Sequence, residues 1–88
     1  MAKIEVDSLS ATINAAVIRL PGRQFPGIVI QGDSLKILAD SVNELRRLAE
    51  GSAVPELEEA ALELAQILAG YQGAYEDALR KNNLPLPY

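Results

Sequence analysis

Glu56, Glu59 and Glu63 come nearest, in this 88-residue chain, to a set whose type and spacing could do chemistry. At i, i+3 and i+7 they share one face of a helix. Carboxylates so placed can hold a hard cation through oxygen, or exchange a proton. The surroundings argue for something plainer. Residues 50–63 hold five acids and no base, and such a run on a helix ordinarily faces water. The chain has no His and no Cys. That excludes zinc sites built on imidazole or thiolate, cysteine nucleophiles and the imidazole switch near neutral pH. A solvated acidic face remains, suited to steering a basic protein partner.

Three further groups compete for attention. Gly32-Asp33-Ser34-Leu35 resembles the four-letter signature of a large serine hydrolase family. A serine nucleophile needs a base within hydrogen-bond reach, and that family uses histidine. With none present, the string reads as a strand-to-helix turn in which Asp33 or Ser34 caps a helix. Pro21 to Gly27, with Arg23, Gln24 and Phe25 at its centre, lacks the spacing of a phosphate loop. It is either a rigid hairpin loop with Phe25 tucked into the core, or an exposed recognition loop anchored by Arg23 and Phe25. Tyr71 and Tyr75 continue an apolar helical stripe, so core or oligomer packing is their expected role.

The elements that must position these residues follow from periodicity. Lys3 to Asp7 alternates polar and apolar, the pattern of a half-buried strand. Ser8 to Asn14 is polar and predicts a loop or turn. Ala15 to Leu20 and Ile28 to Gln31 are β-branched runs on either side of Pro21–Pro26, which predicts a hairpin. From Asp33 onward the chain predicts helix. Leu35, Leu38, Val42, Leu45 and Ala49 form one stripe, closed by Gly51 in the left-handed position. Pro55 suits a first helical turn, with acids behind it that complement the helix dipole. Leu57, Ala61, Leu64, Leu68, Tyr71, Tyr75 and Ala78 then recur every three or four residues. They predict a long second helix from Pro55 to Lys81, about 40 Å if unbroken, with Gly70 and Gly73 marking either a kink or a place where another backbone comes close. The second helix should overhang the first at its tyrosine end. Leu84 to Tyr88, with alternating prolines, predicts an extended tail that docks back or frays.

The expected architecture is therefore α+β in one domain. Residues 1–32 form a small antiparallel sheet of two or three strands, 33–81 a helical hairpin packed on one face of it, and 82–88 the tail. Ile4, Val6, Ile18, Leu20, Ile28 and Ile30 should meet the helical stripes. With four aromatics, the core must be aliphatic. Residues 1–36 carry four basic and three acidic side chains; residues 37–88 carry four basic and nine acidic. That balance argues against nucleic acid or an anionic membrane as the partner. The absence of Cys, of a secretion signal and of a membrane-length apolar run makes the cytoplasm the expected compartment.

The strings Arg19-Leu20-Pro21-Gly22-Arg23, Phe25-Pro26-Gly27 and Gln31-Gly32-Asp33-Ser34-Leu35, with the terminal Pro87-Tyr88, carry a resemblance that covers nearly the whole chain. In them the sequence resembles a family of small bacterial proteins of similar length, strand-rich first and helical after. The resemblance implies a place among interbacterial toxin and immunity genes, and it carries over no functional residues. The functional expectation is a non-enzymatic protein-binding protein without cofactor or metal. In its concrete form it is an immunity protein that neutralises a toxin by stoichiometric binding. Glu56, Glu59 and Glu63 would meet a basic site, and Arg23, Gln24 and Phe25 would add contacts. The alternative is a structural subunit that self-assembles through Tyr71 and Tyr75.

Overall fold

The computed structural model describes residues 1–10 and 15–88. Three short strands, β1 (Asp7–Ser10), β2 (Val17–Arg19) and β3 (Gly27–Ile28), precede two helices, α1 (Gly32–Ala49) and α2 (Pro55–Lys81). The strands form one antiparallel sheet in the order β1-β2-β3. Asp7 stands opposite Arg19, and their side chains pair across the strands at 2.9 Å. The register shifts between Ser8 and Ser10, so the β1 edge is bulged. β2 leads into a turn in which the Arg23 N–H donates to the Leu20 carbonyl at 3.1 Å. Pro21 fixes the first central position and Gly22, at φ +75°, supplies the second, the arrangement of a type II turn.

Local strand placement departs from periodicity. The alternating segment Lys3 to Asp7 contributes only Asp7 to the sheet, and Ser8 to Ser10, expected in a loop, are strand. Cross-strand pairing with β2 decides this, since pairing partners outweigh intrinsic preference in a short strand. The rest of that expected loop, Ala11 to Asn14, lies outside the described residues. The hairpin between β2 and β3 is present, with strands shorter than the apolar runs that announce them.

α1 begins at Gly32, ahead of the cap expected at Asp33 or Ser34, and its N-cap is Gln31 without a side-chain cap. Asp33 acts from inside the first turn, where its carboxylate accepts from the Ser34 N–H at 2.9 Å. Gly51 holds φ +72° just past the end of α1. α2 starts at Pro55 and runs through Gly70 and Gly73 to Lys81 without interruption. It ends in a left-handed Asn83, with Asn83 N–H donating to Arg80 O and Leu84 N–H to Leu79 O. That pair of bonds is a Schellman cap, and Pro85 follows where the helix cannot continue.

Among the described residues the core lies wholly between the helices. Its buried apolar residues are Leu35, Ala39, Val42 and Ala49 of α1, and Ala61, Ala65 and Leu68 of α2. Alanine at the seam lets the antiparallel helices approach closely, and it also makes the core thin. Only part of each predicted stripe faces the seam. Leu38 and Leu45 of α1 are exposed, as are Leu57, Leu64 and Tyr71 of α2.

The sheet does not pack on the helices. No strand residue has its Cα within 8 Å of a helix residue's Cα, among the described residues. None of residues 1–10 or 15–30 is buried. Ile4, Val6, Leu20, Ile28 and Ile30 are exposed and Ile18 is half-buried, so the expected sheet–helix core is absent. With strands of two to four residues, the sheet offers too little flat surface to cover a helix pair. The result is elongated, 49 × 31 × 22 Å, with a radius of gyration of 16.1 Å. A compact chain of this length would have about 12 Å.

Candidate binding surfaces

Glu56, Glu59 and Glu63 lie on the side of α2 turned away from α1, and all three are exposed. None of them makes an ion pair or hydrogen bond among the described residues. Glu58, in the same turn, is different: its carboxylate accepts from the Gly51 N–H at 3.2 Å and ties the interhelical loop to α2. No group of three acidic side chains suited to a metal ion occurs among the described residues. The acidic row therefore presents free negative charge to solvent along one edge of the hairpin.

The other ion pairs are local. Lys36 pairs with Asp40 at 2.5 Å, Arg47 with Glu44 at 2.5 Å and Arg80 with Asp77 at 2.6 Å, each within one helix. The Arg47 hydrogen bond holds the Glu44 carboxyl below the usual carboxylate range. The same bond raises Arg47.

Arg23, Gln24 and Phe25 sit at the tip of the sheet, and all are exposed. Phe25 is 76% exposed, which overturns the reading that tucks it into the core. β2 and β3, which flank the loop, make no contact with either helix, so no helical surface stands beside them to receive the ring. The loop borders two shallow hollows. One of about 350 Å³ is lined by Asp7, Arg19 and Arg23 among others. The second, of about 370 Å³, is apolar and is lined by Ile18, Leu20, Phe25 and Ile28 among others. No helical residue lines either, so the loop and the glutamates of α2 are two separate surfaces.

The tyrosines have different environments. Tyr75 is half-buried, and its ring lies against Gly32, where a methyl group would overlap it. Tyr71 is 62% exposed and shares a hollow of about 330 Å³ with Leu35, Ile28 and Ile30, at the hinge between sheet and helices. The tail docks rather than frays. Gln72 of α2 donates to the Tyr88 hydroxyl at 3.4 Å, and the Lys36 ammonium of α1 stands 5.7 Å from the Tyr88 ring centroid. Among the described residues the Ser34 hydroxyl makes no hydrogen bond to a group that could serve as its base, and Asp33 is engaged with the helix backbone.

One surface escaped the sequence reading. The exposed Leu38 and Leu45 of α1, and Leu57, Leu64 and Tyr71 of α2, each form a second stripe beside the seam. At about 100° per residue, each stripe is rotated from its seam in the same sense. An approximate two-fold axis normal to the plane of the hairpin relates the antiparallel helices. Both stripes therefore emerge on one side. The hollow shared by Leu35 and Tyr71 lies on that side, whereas Leu62 sits opposite, with Arg46, Glu50 and Glu58. The seven-residue spacing of Leu38–Leu45 and of Leu57–Leu64–Tyr71 was the available signal.

The chain belongs to the DUF6959 family, a family of unknown function, which matches residues 1–88. No curated protein and no solved structure matches it. No helix among the described residues is long and apolar enough to cross a membrane.

Proposed function

We propose that this chain is a non-enzymatic binding protein that works by associating with another polypeptide. The observation that carries this reading is its surface. The chain exposes 6902 Å², whereas a compact 9.5 kDa monomer would expose about 5,000 Å². The excess is rich in large aliphatic side chains on the helices and the sheet. Surface of that kind is ordinarily covered by a partner.

In its concrete form the partner is a toxin domain with a basic site, and the protein is its immunity partner. The free row of Glu56, Glu59 and Glu63 supports this reading, because unpaired acids on a rigid helix steer a basic surface into place. So does the exposed Phe25, flanked by Arg23 and Gln24, since aromatic and arginine side chains dominate interface energetics. No glutamate of the row lines either hollow beside the loop, so an occupant touching both surfaces must be a macromolecule.

The test is affinity capture from the native lysate with the wild-type chain and with E56K/E59K/E63K. A stoichiometric basic partner held by the wild type and lost with the triple variant supports the reading. Equal retention by both chains removes the glutamates from the interface. Absence of any heterologous partner leaves self-assembly as the reading of choice.

A further inference from the structure

We infer that the charge-free face of the helical hairpin is the seat of a second copy of this chain, giving a four-helix bundle of two hairpins. This rests on the reading that the protein acts by association. It names the occupant of the apolar face, and it leaves the acidic edge free for a different partner.

The face is built from Leu38 and Leu45 on α1 and Leu57, Leu64 and Tyr71 on α2, all exposed. The positions between and beside them on the same side are Ser34 and Ser41 of α1 and Ala60, Ile67 and Ala78 of α2. No Asp, Glu, Lys or Arg falls within it. The 18 residues of α1 give the face a length of about 27 Å. Two helices side by side make it roughly 20 Å wide. The projected area exceeds roughly 500 Å², more than the open apolar patch a soluble monomer usually leaves.

Three observations choose a second copy as the occupant. The first is charge. The chain carries net charge −4, so two copies can meet only where acids are missing, and this face is such a place. Glu59 and Glu63 point off the hairpin's edge, and Glu56 borders the face at its outer margin. The second is area. A standard interface takes about 800 Å² from each partner. The chain has about 1,900 Å² more surface than a compact monomer of its mass, enough to supply it. The third is spacing. Leu57, Leu64 and Tyr71 recur every seven residues, as do Leu38 and Leu45. That is the repeat by which helices interlock side by side. An isologous contact places the same patch on both sides, and an uncharged leucine stripe is complementary to itself.

The experiment is sedimentation or light-scattering mass on the full chain, from low micromolar to hundreds of micromolar, with circular dichroism on the same samples. The wild type should have twice the mass of the 9.5 kDa chain. Leu64→Glu should weaken the dimer about a thousandfold, because a central interface residue counts twice in a symmetric pair. It should keep its helical spectrum, since Leu64 is outside the seam. Leu62→Glu, on the opposite side of α2, should stay dimeric. If Leu64→Glu unfolds, Leu45→Ser tests the same face from α1. A wild-type monomer at every concentration with full helicity overturns the proposal, as does a dimer broken by Leu62→Glu and not by Leu64→Glu. A monomer that still captures a heterologous partner refutes the dimer and keeps the binding reading. A dimer that captures nothing keeps the inference and removes the toxin partner.

Discussion

Gly32→Ala should reverse its sign when Tyr75 is removed. Gly32 is the first residue of α1, and the Tyr75 ring of α2 lies over it. Taken alone, alanine in place of a helical glycine gains about 0.5–1 kcal/mol. Here the new methyl group must displace the ring, because the Tyr75 hydroxyl and ring carbons occupy the space it would fill. A tyrosine buries roughly 150–250 Å² when fully covered, and Tyr75 is half-buried. At about 25 cal/mol per Å², expelling it costs on the order of 2–3 kcal/mol. The net is a loss of about 1–2 kcal/mol in the wild-type background. In Tyr75→Ala the obstruction is gone, and Gly32→Ala should stabilise by up to about 1 kcal/mol. Urea unfolding of the four proteins, followed by far-ultraviolet circular dichroism at one concentration, gives the coupling directly. An equal effect of Gly32→Ala in both backgrounds would refute the reasoning, because the ring would then move aside at no cost.

Other expectations are shorter to state. Ala65→Leu, in the tight seam, should destabilise by about 1–3 kcal/mol through overpacking, whereas Ala69→Leu, exposed on the same helix, should leave the urea midpoint nearly unchanged. Gly51→Ala, at φ +72°, should cost about 1–2 kcal/mol of backbone strain. Gly27→Ala, with an ordinary φ and nothing within 4 Å, should be tolerated, as thermal melts of both will report. Glu44 is held below the usual carboxylate range by Arg47. Its contribution is therefore present above the unfolded pKa and is lost as pH falls through the lowered folded value. Acid titration of helicity should show that small loss, and Glu44→Gln should remove it.

The helices were legible in the sequence because their signals are local and redundant. Pro55 and Gly51 are backbone constraints that no packing choice overrides. A stripe from Leu57 to Ala78 repeats over six turns, enough to outweigh Gly70 and Gly73. The strands were less so. β1 slid from Lys3–Asp7 to Asp7–Ser10, because a strand of four residues takes its place from its neighbour's hydrogen bonds. Which half of each stripe faces the seam was not legible either. Ala61 and Ala65 face inward and Leu64 outward. That choice belongs to the helix pair, whose close approach favours small side chains, and hydrophobicity alone ranks leucine first. The acidic row was visible at once, since its exposure follows from charge. The exposure of Phe25 was not, because it depends on the sheet standing away from the helices.

That separation bears on how the chain unfolds. A protein with one core melts as one unit, because each element loses its burial when any other leaves. Here the hairpin's buried residues are contributed by α1 and α2 alone, and the strands are held by their own ladder and by the ion pair of Asp7 with Arg19. Opening the sheet exposes nothing that the helices had covered beyond the hinge at Ile28 and Ile30. The chain then has two cooperative units of unequal strength joined in series. A single melting temperature would describe the helical unit only, and hydrogen exchange would find the strand amides open long before those of Val42 or Leu68.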